Sequence, residues 1–305
     1  MKIIILLFCI SLSAFSLVEK TLHIETQSLE NSEWMKFSSS EELNLKKLFE
    51  LLRKSKTGEL LLLKANSKAS SMGLTLQDVV KAGHASLTDT TLVRKFSPDS
   101  PENVVYESKS VIYINKNLRW EDAILDLAHE LTHFNFRDQF NPYGDDFNPS
   151  DFITSTIEGR GGEVQAFLME CKVLSELFSR NHEHRSHCEK IQDSEGKPSH
   201  AKAVSLFYHL GNYHSKFSST ARSRGLSQII EKIKPEKINF ISSAYGVPYP
   251  VAALMEYDLV LNKVCENDKK RMTYLQQGIS RAPASEIDQF SKLTKIYTSK
   301  CRTYN

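Results

Sequence analysis

The sequence predicts an α+β fold, predominantly helical, in which a small sheet packs against one amphipathic helix. Three patterns carry that prediction. Residues 120–134 place Ile124, Leu127, Ala128 and Leu131 at spacings of three and four, the period of a helix with one buried face. Residues 104–107 and 111–114 are β-branched and aromatic, separated by Ser108, Lys109 and Ser110, which predicts a hairpin or two short strands. After residue 118 helical patterns recur and strand patterns do not.

Taken in order, residues 1–16 have the layout of a secretory signal peptide. Lys2 precedes an apolar run from Ile3 to Ile10, and Ala14 and Ser16 fit a small-x-small cleavage site. Cys9 lies inside that run behind bulky Phe8, which argues against a lipoprotein. Residues 17–100 form an N-terminal region, partly helical. Its irregular lead-in holds a short strand at 21–26. An amphipathic helix follows at 43–52, capped by Ser39 or Ser40. Residues 54–58 break it, 59–64 are strand or helix, and 74–81 are a helix ending at Gly83. Pro98, Pro101 and several serines mark 96–103 as a loop. The core region, 101–180, holds the strand pair, the helix at 120–134, a polar loop at 138–151 and a long helical run at 152–179, interrupted by Gly159, Gly161 and Gly162. The C-terminal region, 181–305, opens with a polar loop at 182–200. Helical patterns follow at 201–210, 218–233, 250–265 and 285–296.

Composition sets bounds on function. With 305 residues, 40% of them apolar, the chain can bury one sizeable core, alone or with a helical annex. Sixteen Phe and 11 Tyr argue against disorder, and 12 Gly and 9 Pro exclude a collagen-like chain. Thirty-nine basic against 37 acidic residues do not mark a nucleic-acid binder. Signal cleavage removes Lys2 and Cys9, leaving a net charge of 38 − 37 = +1 and four cysteines. An even count in an exported chain predicts two disulfides. Cys171–Cys188 and Cys265–Cys301 are the favoured pairs because each closes a short loop; the alternative is four reduced, buried thiols. No later segment is apolar for long enough to predict stable membrane insertion.

The segment His129-Glu130-Leu131-Thr132-His133 carries the chemistry. Histidines four apart lie one turn apart on one helix face and can grip one Zn²⁺. Glu130 is turned about 100° around the axis, placed for the metal's water rather than the metal. A carboxylate there can take a proton from that water and pass it to a leaving amine. Ahead of the motif lies an apolar strand pair, and an extended peptide can pair with such an edge.

This segment resembles the active-site helix of the zincin metallopeptidases. The resemblance covers residues 104–178 at most. It implies a zincin-like catalytic core over 101–180, with His129 and His133 as ligands and Glu130 as general base. No histidine follows the motif until His182, so the metzincin branch is disfavoured. The gluzincin branch takes a glutamate from a following helix. Here that is Glu163, which opens a regular helical stretch, with Glu158 as the alternative and Asp145, Asp146 or Asp151 behind them. The aspartate that the thermolysin-like pattern places four residues beyond its ligand is replaced by Phe167 after Glu163 and by Gly162 after Glu158. Glu170, on the same face as Glu163, can accept from a ligand histidine's second nitrogen. Asp126, one turn before Glu130, either tunes the site or faces solvent.

Tyr213, His214 and Tyr245 are candidate oxyanion donors, with His209, Tyr249 and Tyr143 as rivals. His182, His184 and His187 beside Cys188 read as an exposed polar loop rather than a second metal site. The function expected is a secreted or periplasmic zinc metalloprotease, a hydrolase with one Zn²⁺ acting on a peptide or protein. The alternatives are an exported zinc-containing binding or structural protein without turnover, or an amidase acting on peptidoglycan stems. No nucleotide-binding loop or nucleophile elbow is present.

Overall fold

The computed structural model describes residues 32–138, 140–178, 185–278 and 284–301. The signal segment at 1–16, the strand at 21–26, and His182 and His184 lie outside the described residues. The fold is predominantly helical, with a three-stranded sheet packed against the helix that carries the histidines.

Two helices lead in, α1 (Glu41–Leu52) and α2 (Lys56–Ser71). Ser55 is the N-cap of α2, its hydroxyl accepting from the Gly58 N–H, so the stretch expected to break the helix at 54–58 instead starts the next one. The helix expected at 74–81 is cut to one turn, α3 (Leu76–Val79), closed by a Thr75–Asp78 capping box. Strand β1 (Val80–Gly83) then begins, because Val80 and Ala82 pair in parallel with Ile112 and Ile114. Tertiary pairing overrides the local helical pattern.

Strands β2 (Leu87–Ser97) and β3 (Ser100–Asn115) form one long hairpin turning at Pro98-Asp99. This corrects both the loop at 96–103 and the break at 108–110. Pro101 is tolerated because β1 reaches only residues 112–115, leaving one side of β3 open there. Ser110 is not a turn: its Oγ lies 3.0 Å from Thr90 Oγ1 across the ladder. The sheet order is β1-β3-β2, so β2 is an outer strand.

Helix α4 (Trp120–Phe136) is buried on nearly every side, with Ala123, Ile124, Leu127, Ala128 and Leu131 at 0% exposure. It packs between the sheet and helices α2 and α6. The long run expected at 152–179 is two helices, α5 (Pro149–Glu158) and α6 (Glu163–Leu177), split at Gly159 and Gly162. Within the loop expected at 182–200 lies a short helix, α7 (Arg185–Lys190). Helix α8 is His200–Phe207. The run expected at 218–233 divides into α9 (His214–Ser223) and α10 (Ser227–Lys232), broken at left-handed Gly225. The last two helices exceed expectation: α11 spans Tyr249–Gly278 and α12 spans Ala284–Cys301.

Disulfide Cys171–Cys188 ties α6 to α7, and Cys265–Cys301 ties α11 to α12. One hydrophobic cluster runs from Trp34 through α4 to Cys301. Among the described residues no helix is long and apolar enough to cross a membrane.

Candidate active site

His129 and His133 project from one face of α4, their ring centroids 4.8 Å apart. With Glu130 they form a cluster whose ligand atoms lie within 4.8 Å of one another. His133 and Glu130 are buried and His129 is half-buried. The His133 ring is fixed from behind: its Nδ1 lies 2.7 Å from the Gly161 carbonyl oxygen. Gly161 has φ +67°, and a Cβ there would stand 2.2 Å from the Arg137 nitrogen. Only glycine lets this turn come so close to the end of α4.

The turn delivers Glu163, the first residue of α6. Its Oε2 lies 3.3 Å from His129 Nε2 and its Oε1 lies 3.5 Å from His133 Nε2. Burial alone would raise the pKa of this carboxyl. The neighbouring His133 and His129 outweigh burial and hold it well below the carboxylate range. The Arg137 guanidinium donates to the same carboxylate at 3.1 Å. Two helical turns further on, Glu170 Oε2 lies 3.2 Å from His129 Nδ1. Burial pulls the His129 pKa down, but hydrogen bonds to Glu163 and Glu170, with Glu130 nearby, carry it well above the usual imidazole value.

Glu130 is anchored from the sheet. Thr88 Oγ1, on β2, lies 2.8 Å from Glu130 Oε2 and 3.0 Å from its carbonyl oxygen. Asp126 does not face open solvent. Burial, opposed by a hydrogen bond from Ser86 and reinforced by Glu170, pushes its pKa to about 7. The Tyr249 hydroxyl hydrogen-bonds Glu163 and faces Glu130 and Glu170; burial and these carboxylates push its pKa well up.

The other residues singled out in the sequence lie elsewhere. Glu158 turns away, bonded by the Tyr208 hydroxyl at 2.5 Å and by Lys232 Nζ at 2.6 Å. Asp151 caps α5 with Asn148, and Asp145 and Asp146 sit exposed on the loop before it. Among the described residues no hydrogen bond joins Tyr213, His214 or Tyr245 to the cluster. His209 Nδ1 meets Asn239, and Tyr143 stacks under Arg94. His187 lies exposed in α7.

His133 opens onto a cleft of about 610 Å³. One wall is β2 from Leu87 to Arg94, the other is α11 with Glu256, Val260 and Lys263. The loop expected at 138–151 roofs it with Phe140 and Phe147, which pack on Phe152 and Tyr257. Arg94 closes the far end, stacked 4.1 Å over Tyr143 and paired with the buried Asp268.

The donor set suits zinc. Two imidazole nitrogens each lie near one oxygen of a single carboxylate, in a site enriched in negative charge. Bonds of 2.0–2.1 Å in a tetrahedral site put neighbouring ligand atoms ~3.3–3.4 Å apart. The Glu163 oxygens stand 3.3 and 3.5 Å from the two Nε2 atoms.

Thr88, Arg137 and Glu256 were not singled out from sequence. For Thr88 a signal exists: 87–94 is rich in β-branched residues and bounded by turn residues. Arg137 and Glu256 carry no motif. No protein-family model, curated protein or solved structure matches this chain.

Proposed function

We propose that the chain is an exported zinc metallopeptidase that cleaves peptide bonds in extended substrates. The observation that carries this reading is the Glu163 carboxylate spanning both Nε2 atoms beside an anchored Glu130, at the mouth of a cleft bordered by an outer strand. His129, His133 and Glu163 would hold the metal, with Glu170 and the Gly161 carbonyl fixing the two rings. When bound, zinc supplies a Lewis acid that polarises the scissile carbonyl and acidifies a water.

The chain's own residues do the rest. Glu130 takes a proton from the attacking water and delivers it to the leaving amine. Thr88 keeps that carboxylate in one orientation. The Tyr249 hydroxyl, turning its proton from Glu163, donates to the oxyanion that develops on the carbonyl. Substrate backbone pairs with the open side of β2. The two disulfides suit an oxidising compartment and support export.

Zinc stoichiometry and peptidase assays on wild type and Glu130→Gln test the reading. The variant should keep one zinc and lose a factor of about 10²–10⁴ in kcat. Full activity in Glu130→Gln, or wild-type protein that binds no zinc, overturns it.

A further inference from the structure

We propose that the cleft sorts its peptide by charge, with Glu256 taking a basic side chain near the catalytic cluster and Lys263 taking an acidic one farther along. This rests on the peptidase reading and adds a substrate class to it.

Both residues line the cleft from α11. They are seven residues apart, two helical turns, so they share one face of the helix about 10.5 Å apart along its axis. Val260 lies between them and Val264 just beyond Lys263 on the same wall. The two arginines nearby are already held, Arg137 by Glu163 and Arg94 by Asp268, while Asp89, Asp138 and Lys68 also line the cleft. Among the described residues neither Glu256 nor Lys263 has an ion-pair partner. Lys263 is exposed and Glu256 is half-buried.

Glu256 is the less comfortable of the two. Burial raises its pKa, with Glu163 and Asp89 adding to the effect against Arg137. A carboxylate held in a cleft beside two others gains when an ammonium or guanidinium arrives. Lys263 offers the opposite charge two turns on. The outer strand on the facing wall holds a guest extended, at about 3.3 Å per residue. Charges ~10.5 Å apart then fall between two and four residues along the guest. Side chains of one strand face share a side every second residue, so spacings of two and four satisfy the cleft.

The test measures binding rather than turnover. Full-length zinc-loaded protein carrying Glu130→Gln is titrated with labelled octapeptides by fluorescence anisotropy. The set has Lys before Glu, Glu before Lys, and Gln at both positions, at spacings of two and four. One charge order should bind about tenfold tighter than the neutral peptide. Glu256→Gln should bring that order down to the neutral value. Glu256→Lys combined with Lys263→Glu should transfer the preference to the reverse order. Equal affinities across the set, no binding by any peptide, or a preference that Glu256→Gln leaves intact would each overturn the proposal. Cleavage of the neutral peptide by wild type reports separately on the peptidase reading. Charge selection without cleavage would sink that reading and leave this one standing.

Discussion

Glu163 and Glu170 both touch His129, and zinc affinity separates their roles. Glu170 Oε2 stands 3.2 Å from Nδ1, the nitrogen facing away from the cluster's centre, whereas Glu163 Oε2 stands 3.3 Å from Nε2 and its other oxygen reaches His133. Losing an outer partner of a ligand histidine costs about 10–100-fold in metal affinity, or ~1.4–2.7 kcal/mol. Glu170→Gln should fall in that range, and Glu163→Gln, which strips the charge from a ligand atom, should exceed it. Protons set a second signature. Glu163 and Glu170 hold His129 in its protonated form in the metal-free protein, so zinc must displace a proton, and its apparent affinity drops as pH falls. Glu170→Gln makes His129 less basic and eases that displacement. The loss relative to wild type should therefore be smaller at pH 6 than at pH 8. Competition against a chromophoric zinc chelator at both pH values measures it. Wild-type affinity in Glu170→Gln at pH 8 would refute the assignment. A milder loss in Glu163→Gln than in Glu170→Gln would make Glu170 the ligand.

Three further outcomes are expected. Thr88→Val keeps the side chain's shape but frees Glu130, so kcat/KM on a peptide should fall about tenfold with zinc content unchanged, and Thr88→Ser should restore it; an unaltered rate in the valine variant would remove Thr88 from the mechanism. Replacing Cys265 and Cys301 together by serine releases a crosslink of sequence separation 36, at a cost of about 4 kcal/mol in urea unfolding; a loss under 1 kcal/mol would mean that α11 and α12 are held by packing alone. Glu176 accepts from Ser55 Oγ, Thr57 N and Thr57 Oγ1, and these bonds overcome burial to hold its pKa low. Because the folded value lies below the unfolded one, its stabilisation is present above the usual carboxylate pKa and vanishes as pH falls through the depressed value. Glu176→Gln should therefore lower the midpoint of urea unfolding at pH 7 and leave it unchanged near pH 2; an equal loss at both would assign the effect to packing.

What sequence made legible were the places where one physical signal dominated. Helix α4 repeats its apolar residues without interruption, and its histidines stand four apart, so the element and its cluster of possible metal ligands were both readable. Strand β2 was missed because only Arg94 on it is buried, and alternation is weak where both faces meet solvent or a cleft. The segment at 74–81 misled because its capping box is real but lasts a single turn before β3 claims Val80. Tyr249 stood among several tyrosines, and nothing local distinguishes a phenol that faces three glutamates from one that faces water.

The groups gathered around the α4 cluster share a placement, Glu163, singled out from sequence, among them. Thr88 is the second residue of β2, Glu163 the first of α6 and Tyr249 the first of α11. Element termini hold these three groups, and there is a reason for it. A helix start points free N–H groups at its neighbour, so a carboxylate at the first position of α6 gains from the dipole while it reaches for His129 and His133. A terminus also lets the chain turn away at once, as it does at Gly161, leaving room for four elements to converge on one point. Periodicity describes the middles of elements and is silent about their ends. The pair on α4 was visible because two residues of one helix suffice for it; Glu163 was legible only as the residue opening the next regular helical stretch, and its reach to both rings depends on the glycine-rich turn before it.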